Sequence, residues 1–134
     1  MNINMLNEAL VTLIKKKKEL HDLNYNSSNY DQLEEDLHVL EDDFLNKYGD
    51  YLEDALHEVH DEYCPDSDVL LPIAYVPNEL ATSGDISEIS LDQGVYVEVD
   101  DYESNETKLV LIPDPTRIVL LVSPEQKEVV WTAS

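Results

Sequence analysis

Apolar residues recur at every third or fourth position as far as Val59; after Pro65 they crowd into short β-branched and aromatic runs. That change of period, from about 3.6 to about 2, constrains the fold more than any other feature of the chain. In the first stretch Leu6, Leu10, Leu13, Leu20 and Leu23 form one stripe with Ala9 and Ile14, which predicts a helix over residues 3–23. Residues 24–29, rich in Asn and Ser, read as a break, because these side chains bond locally to the backbone. Ser28 with Asp31, or Asn29 with Gln32, would cap a second helix. That helix carries Leu33, Leu37, Leu40, Phe44, Tyr48, Tyr51, Ala55 and Val59 within a sector of roughly 100°. Gly49 and Asp50, with Glu53 three residues on, resemble a stop and a new start, yet the apolar phase does not slip there. One long helix, straight or kinked, is therefore expected, and with the first it makes an antiparallel pair.

After Pro65 the candidate strands are residues 69–76, 86–91, 95–99, 108–112, 117–122 and 128–132. Their connections are short, and Asp114-Pro115 and Ser123-Pro124 supply turn chemistry, so an antiparallel meander of five or six strands is expected rather than parallel crossovers. The fold class is α+β, with the helical pair packed on one face of the sheet. Ile118, Val119, Leu120, Leu121 and Val122 are apolar on both faces, so the second face also needs a cover. The rest of a curled sheet or a second copy in a homodimer would serve. At 134 residues a single domain, 1–134, is expected, with a helical half (1–64) and a sheet half (65–134).

The formal charge of −22 is unevenly placed. Lys15, Lys16, Lys17 and Lys18 slightly outweigh the acids of the first 24 residues, and nearly all the negative charge lies beyond them. Such a surface repels phosphate backbones and anionic lipid, which argues against direct nucleic-acid or membrane binding. It attracts a basic partner, or simply keeps the chain soluble. The expected role of the four lysines is pairing with the second helix, where Asp31 to Glu62 hold 13 acids and one lysine. Cys64 is the only cysteine, so no intrachain disulfide forms; no secretory leader pattern and no run of about 20 apolar residues is present. These features point to the cytoplasm.

Glu53, His57, His60 and Cys64, spaced four, three and four apart, are the densest chemical grouping. They are metal-ligating types, and Cys with His suits zinc. Their helical positions lie opposite the apolar face, however, and along one straight helix they would span about 16 Å, too far for one tetrahedral ion. A solvated stripe is expected, with His57, His60 and Cys64 as weak metal candidates. Glu35 with His38 and Asp54 with His57 repeat a step used in di-iron bundles, but both lie on one helix. The acidic loop 100–106 and Asp66-Ser67-Asp68 lack the acid spacing and glycine of an EF-hand. No Gly-x-Ser-x-Gly occurs, and Gly49, Gly84 and Gly94 are too scattered for a phosphate loop. No catalytic residue and no cofactor is therefore assigned.

The reading is a non-catalytic acidic binding or regulatory protein that meets a basic protein through Glu34, Glu41, Asp42, Glu53 and Asp54, with Tyr96 and Trp131 as aromatic anchors. An inhibitor or immunity-type protein that imitates nucleic-acid charge is one form of it. The alternative is a metal-dependent enzyme using His57, His60 and Cys64.

Overall fold

A computed structural model describes residues 2–23, 28–79, 86–102 and 106–134. Helix α1 (Ile3–His21) opens on Asn2, whose side chain accepts from the Met5 amide at 3.1 Å. It buries Leu6, Leu10, Leu13 and Ile14, the stripe that the leucine spacing predicts. Helix α2 (Tyr30–Tyr63) is a single helix of 34 residues that passes through Gly49 without a break. Asn29 is its N-cap, but its side chain makes no capping hydrogen bond, so the anticipated cap by the Asn29 side chain is not used. The expected break at 24–29 falls largely outside the described residues.

The buried arc of α2 widens along its length. At 100° per residue, Leu33, Leu37, Phe44 and Tyr48 lie within about 60°, whereas Leu52, Ala55, Leu56, Val59 and His60 fan over about 140°. Along its length α2 packs on α1, on the sheet and on a 3-10 turn at Pro72–Tyr75, and the wider arc belongs to the half that carries His60, which bonds Tyr75. A single apolar face, as the sequence suggests, describes only the first half.

Four strands form an antiparallel sheet in the order β1 (Val95–Tyr96), β2 (Lys108–Ile112), β3 (Arg117–Ser123) and β4 (Gln126–Thr132). The meander is the expected one, but with four strands rather than five or six. Residues 69–76 do not form a strand: Pro72 and Pro77 lack the amides a ladder needs, and the 3-10 turn forms instead. Residues 86–91 contain another 3-10 turn, Ile86–Glu88. The five-residue run expected at 95–99 is a strand only at Val95 and Tyr96, although the Val97 amide still donates to the Thr107 carbonyl at 2.9 Å. Gly94, at φ 87°, lets β1 approach so closely that a Cβ would strike the Leu109 carbonyl.

Alternation along β2 and β3 divides the core in two. Leu109, Leu111, Ile118, Leu120 and Val122 face the helices, where they join Leu6, Leu10, Phe44, Leu52 and Leu56. Val110, Ile112, Val119 and Leu121 face the other way and are covered by Ile89, flanked by Ile86 and Leu91. Neither a curled sheet nor a second subunit is needed to cover them; residues 86–91 do so from the same chain. In a 3-10 turn, residues three apart eclipse, so Ile86 and Ile89 present their side chains to the sheet together. The uncovered face that suggested a homodimer is thus occupied. Lys108 and Lys127 hold the segment in place by donating to the carbonyls of Leu91 and Ser87, both at 2.7 Å. On the helical side, Asn7 clasps the β2–β3 turn: its amide nitrogen donates to the Asp114 carboxylate, and its oxygen accepts from the Asp114 backbone amide, each at 2.7 Å.

Candidate functional site: the outer face of the second helix

The stripe Glu53, His57, His60 and Cys64 is not a solvated row. His57 is exposed and Glu53 half-buried, but His60 and Cys64 are enclosed, at 2% and 0% exposure. Both sit where the buried arc of α2 is widest, and Cys64 has left helical geometry as the C-cap. The Ser67 carbonyl lies 3.0 Å from His60 Nδ1, and the Tyr75 hydroxyl 2.9 Å from Nε2. A carbonyl only accepts, so Nδ1 carries the proton; Nε2 then accepts from the Tyr75 hydroxyl, which accepts in turn from the Leu70 amide at 3.1 Å. Every polar atom of this relay has its complement. It is a latch holding residues 67–75 against the end of α2, and it leaves neither ring nitrogen for a metal. The Cys64 thiol is pushed up to about 11 by burial, so it remains a protonated core side chain at neutral pH. Among the described residues no three metal-ligating side chains converge. The geometry gives the metal-enzyme alternative no ligand set built on His57, His60 and Cys64.

The lysine cluster also departs from expectation. Lys16 pairs with Glu19 at 3.5 Å, and Lys18 with Asp22 at 3.3 Å and Glu79 at 3.7 Å. None of these acids belongs to α2, because α1 presents Lys16 and Lys18 to its own last turns. Lys17 turns inward and donates to the Val76 carbonyl at 2.6 Å. Desolvation pulls its pKa down, and nearby Glu41 partly offsets that fall. It lines a cleft of about 330 Å³ with Leu20, His21, Tyr30, Leu37 and Asn78.

Apart from Glu41, which stands near Lys17, the acids of α2 receive no cation from α1 among the described residues. Among the described residues, only Asp43 has an ion pair, with Lys47 at 3.1 Å. Asp43, Asp50, Asp54 and Asp61 fall within about 40° of one another and form an exposed stripe about 27 Å long on the side away from the core. Of the five acids singled out from the sequence, Asp54 belongs to this stripe. Asp42 and Glu53 lie about a quarter-turn away, while Glu34 and Glu41 are half-buried toward α1. Asp43, Asp50 and Asp61 escaped notice because a straight apolar face points its opposite pole elsewhere; the rotating buried arc moves the outward pole onto them.

Tyr96 and Trp131 do not make one patch. Tyr96 is 54% exposed on β1, and Trp131 stands on β4, at the opposite edge of the sheet. Trp131 packs edge-on against Tyr51 of α2, with ring centres 5.7 Å apart. Part of the acidic loop 100–106 lies outside the described residues; Asp100, Asp101 and Tyr102 form a 3-10 turn. Among the described residues no helix is long and apolar enough to cross a membrane. The chain matches no known family, no curated protein and no solved structure.

Proposed function

We propose that the chain is a non-catalytic binding or regulatory protein whose second helix meets a basic protein partner. The observation that carries this reading is the exposed acidic stripe of α2, in which Asp50, Asp54 and Asp61 have no ion pair among the described residues. Thirteen acids share the helix with one lysine, while Lys16 and Lys18 of α1 pair with acids outside it and Lys17 donates to the Val76 carbonyl. Like charges at i, i+4, as at Asp50 and Asp54, repel, costing the isolated helix a few tenths of a kcal/mol, and nothing in the packing of α2 requires them. A partner that neutralises them recovers that cost and arrives faster in the field of a −22 chain. An inhibitor that occupies a nucleic-acid-binding surface by imitating its charge fits the stripe, which is straight, exposed and regularly spaced.

The test uses the intact chain and a variant, Asp43→Asn/Asp50→Asn/Asp54→Asn/Asp61→Asn, as baits in extracts of the cells that make it. The wild type is expected to retain a basic protein at about 0.1 M salt and to release it at about 0.5 M, where the Debye length shrinks to about 4 Å. The variant should retain much less. Retention that is indifferent to both salt and the four substitutions would refute the reading.

A further inference from the structure

Strand β4 is paired on one side only. In the order β1-β2-β3-β4, its outer edge meets no other strand among the described residues. The opposite edge, β1, is two residues long, whereas β4 offers seven. One irregularity places Val130 between the Val119–Val129 and Ile118–Trp131 pairs, and a second places Val122 between the Leu121–Lys127 and Ser123–Gln126 pairs, so that Lys127, Glu128 and Val129 keep unbroken register. Val129 is 46% exposed.

This edge runs beside the last turns of α2. Tyr51 of α2 touches Trp131, and farther along burial raises the pKa of Tyr63, with the nearby Glu62 and Glu128 adding to the rise. At 100° per residue Tyr51, Glu58 and Glu62 fall within about 40° of one another, so the two glutamates stand on the side of α2 that looks toward β4. Both are exposed, and neither has an ion pair among the described residues. Glu128 receives one long contact, from the Gln126 side-chain amide at 3.5 Å, and is otherwise free to accept.

We infer that the outer edge of β4 takes an extended, lysine- or arginine-bearing segment of a partner protein as a fifth strand. Its main chain would complete the ladder along residues 127–129. Its basic side chains would rise toward Glu58, Glu62 and Glu128, with Trp131 and Tyr51 offering aromatic faces to a cation at one end. Alternate side chains would turn down beside exposed Val129. Charge chooses the occupant: a second copy would bring another −22 to the same edge, while a basic strand meets three unpaired glutamates. The inference rests on the reading that the partner is basic and adds how a segment of it is held.

The experiment uses the intact chain and a fluorescent, alternating lysine–valine peptide, followed by polarisation. Two further peptides carry N-methyl groups, one on every lysine and one on every valine. A strand added to an edge points alternate amides at its neighbour, so one methylated peptide should bind at least about tenfold more weakly while the other keeps its affinity. Glu62→Lys/Glu128→Lys should weaken the parent peptide by about tenfold or more, with an unchanged circular dichroism spectrum. Equal binding by both methylated peptides overturns strand addition. If the four-Asn stripe variant then abolishes that binding, the basic-partner reading survives without it. Failure of the parent peptide to bind also overturns the inference, and the salt test above judges the broader reading separately. A concentration-dependent dimer, in light scattering, that excludes the peptide would overturn it in favour of self-pairing.

Discussion

The two ends of α2 are made from similar residues and live in different surroundings. Its first half lies on α1 and sheds water from a narrow stripe, while its last turns are enclosed by the sheet, the Pro72–Tyr75 turn and the loop that follows Cys64. The same helical geometry therefore makes His57 a surface residue and buries His60 one turn later. The difference teaches that a helical wheel finds the side a helix buries, but neighbours set how much of the wheel is buried.

The comparison is sharpest for core leucines. Leu56, at 1% exposure, sits in the enclosed half, and Leu37, at 8%, in the half packed on α1. Leu56→Ala is expected to cost about 3–4 kcal/mol and Leu37→Ala about 2 kcal/mol in urea unfolding, because the surrounded site cannot collapse onto its cavity. Equal losses would mean that both ends of the helix are equally packed. Next in size is the histidine pair. His60→Ala strands the Ser67 carbonyl and the Tyr75 hydroxyl and leaves a void, an expected loss of about 2–3 kcal/mol, whereas His57→Ala should change stability by less than about 0.5 kcal/mol. A double-mutant cycle of His60→Ala with Tyr75→Phe should show coupling of about 1 kcal/mol; additive losses would deny the relay.

A further effect is confined to alkali. The folded chain holds the Cys64 proton up to about 11, against 9.0 for an ordinary thiol. Between those values the folded state binds more protons than the unfolded state, so stability falls as pH rises through that window. The full difference corresponds to about 3 kcal/mol. Tyr75, also raised by burial, adds a loss of the same sign at higher pH, while Lys17, lowered by burial, works in the opposite direction. Cys64→Ala should therefore reduce the alkaline slope without abolishing it. A variant whose slope matches the wild type would show that the thiol is not enclosed at this end of α2.

Much of this was legible in the residues. The leucine stripe of α1, the uninterrupted run of α2 through Gly49 and the hairpins joining β2, β3 and β4 all follow from spacing and turn residues close along the chain. Residues 69–76 and 86–91 misled because β-branched content alone does not decide a strand. Proline removed donors from the first, and the second gained more by laying Ile86, Ile89 and Leu91 on the sheet than by pairing at its edge. The acidic bias of α2 was plain, but Glu34 and Glu41 looked as available as Asp54 until the packing of α1 was seen.

What the chain determined by itself was its two helices, the antiparallel order of its sheet and the sign of its field, since these depend on period, turn chemistry and composition. Tertiary structure alone decided which acids look outward, that His60 and Cys64 are enclosed, and that residues 86–91 close the far side of the sheet. Those outcomes rest on segments distant in sequence competing for the same surface, and the winner is set by how much apolar area and how many hydrogen bonds each arrangement completes.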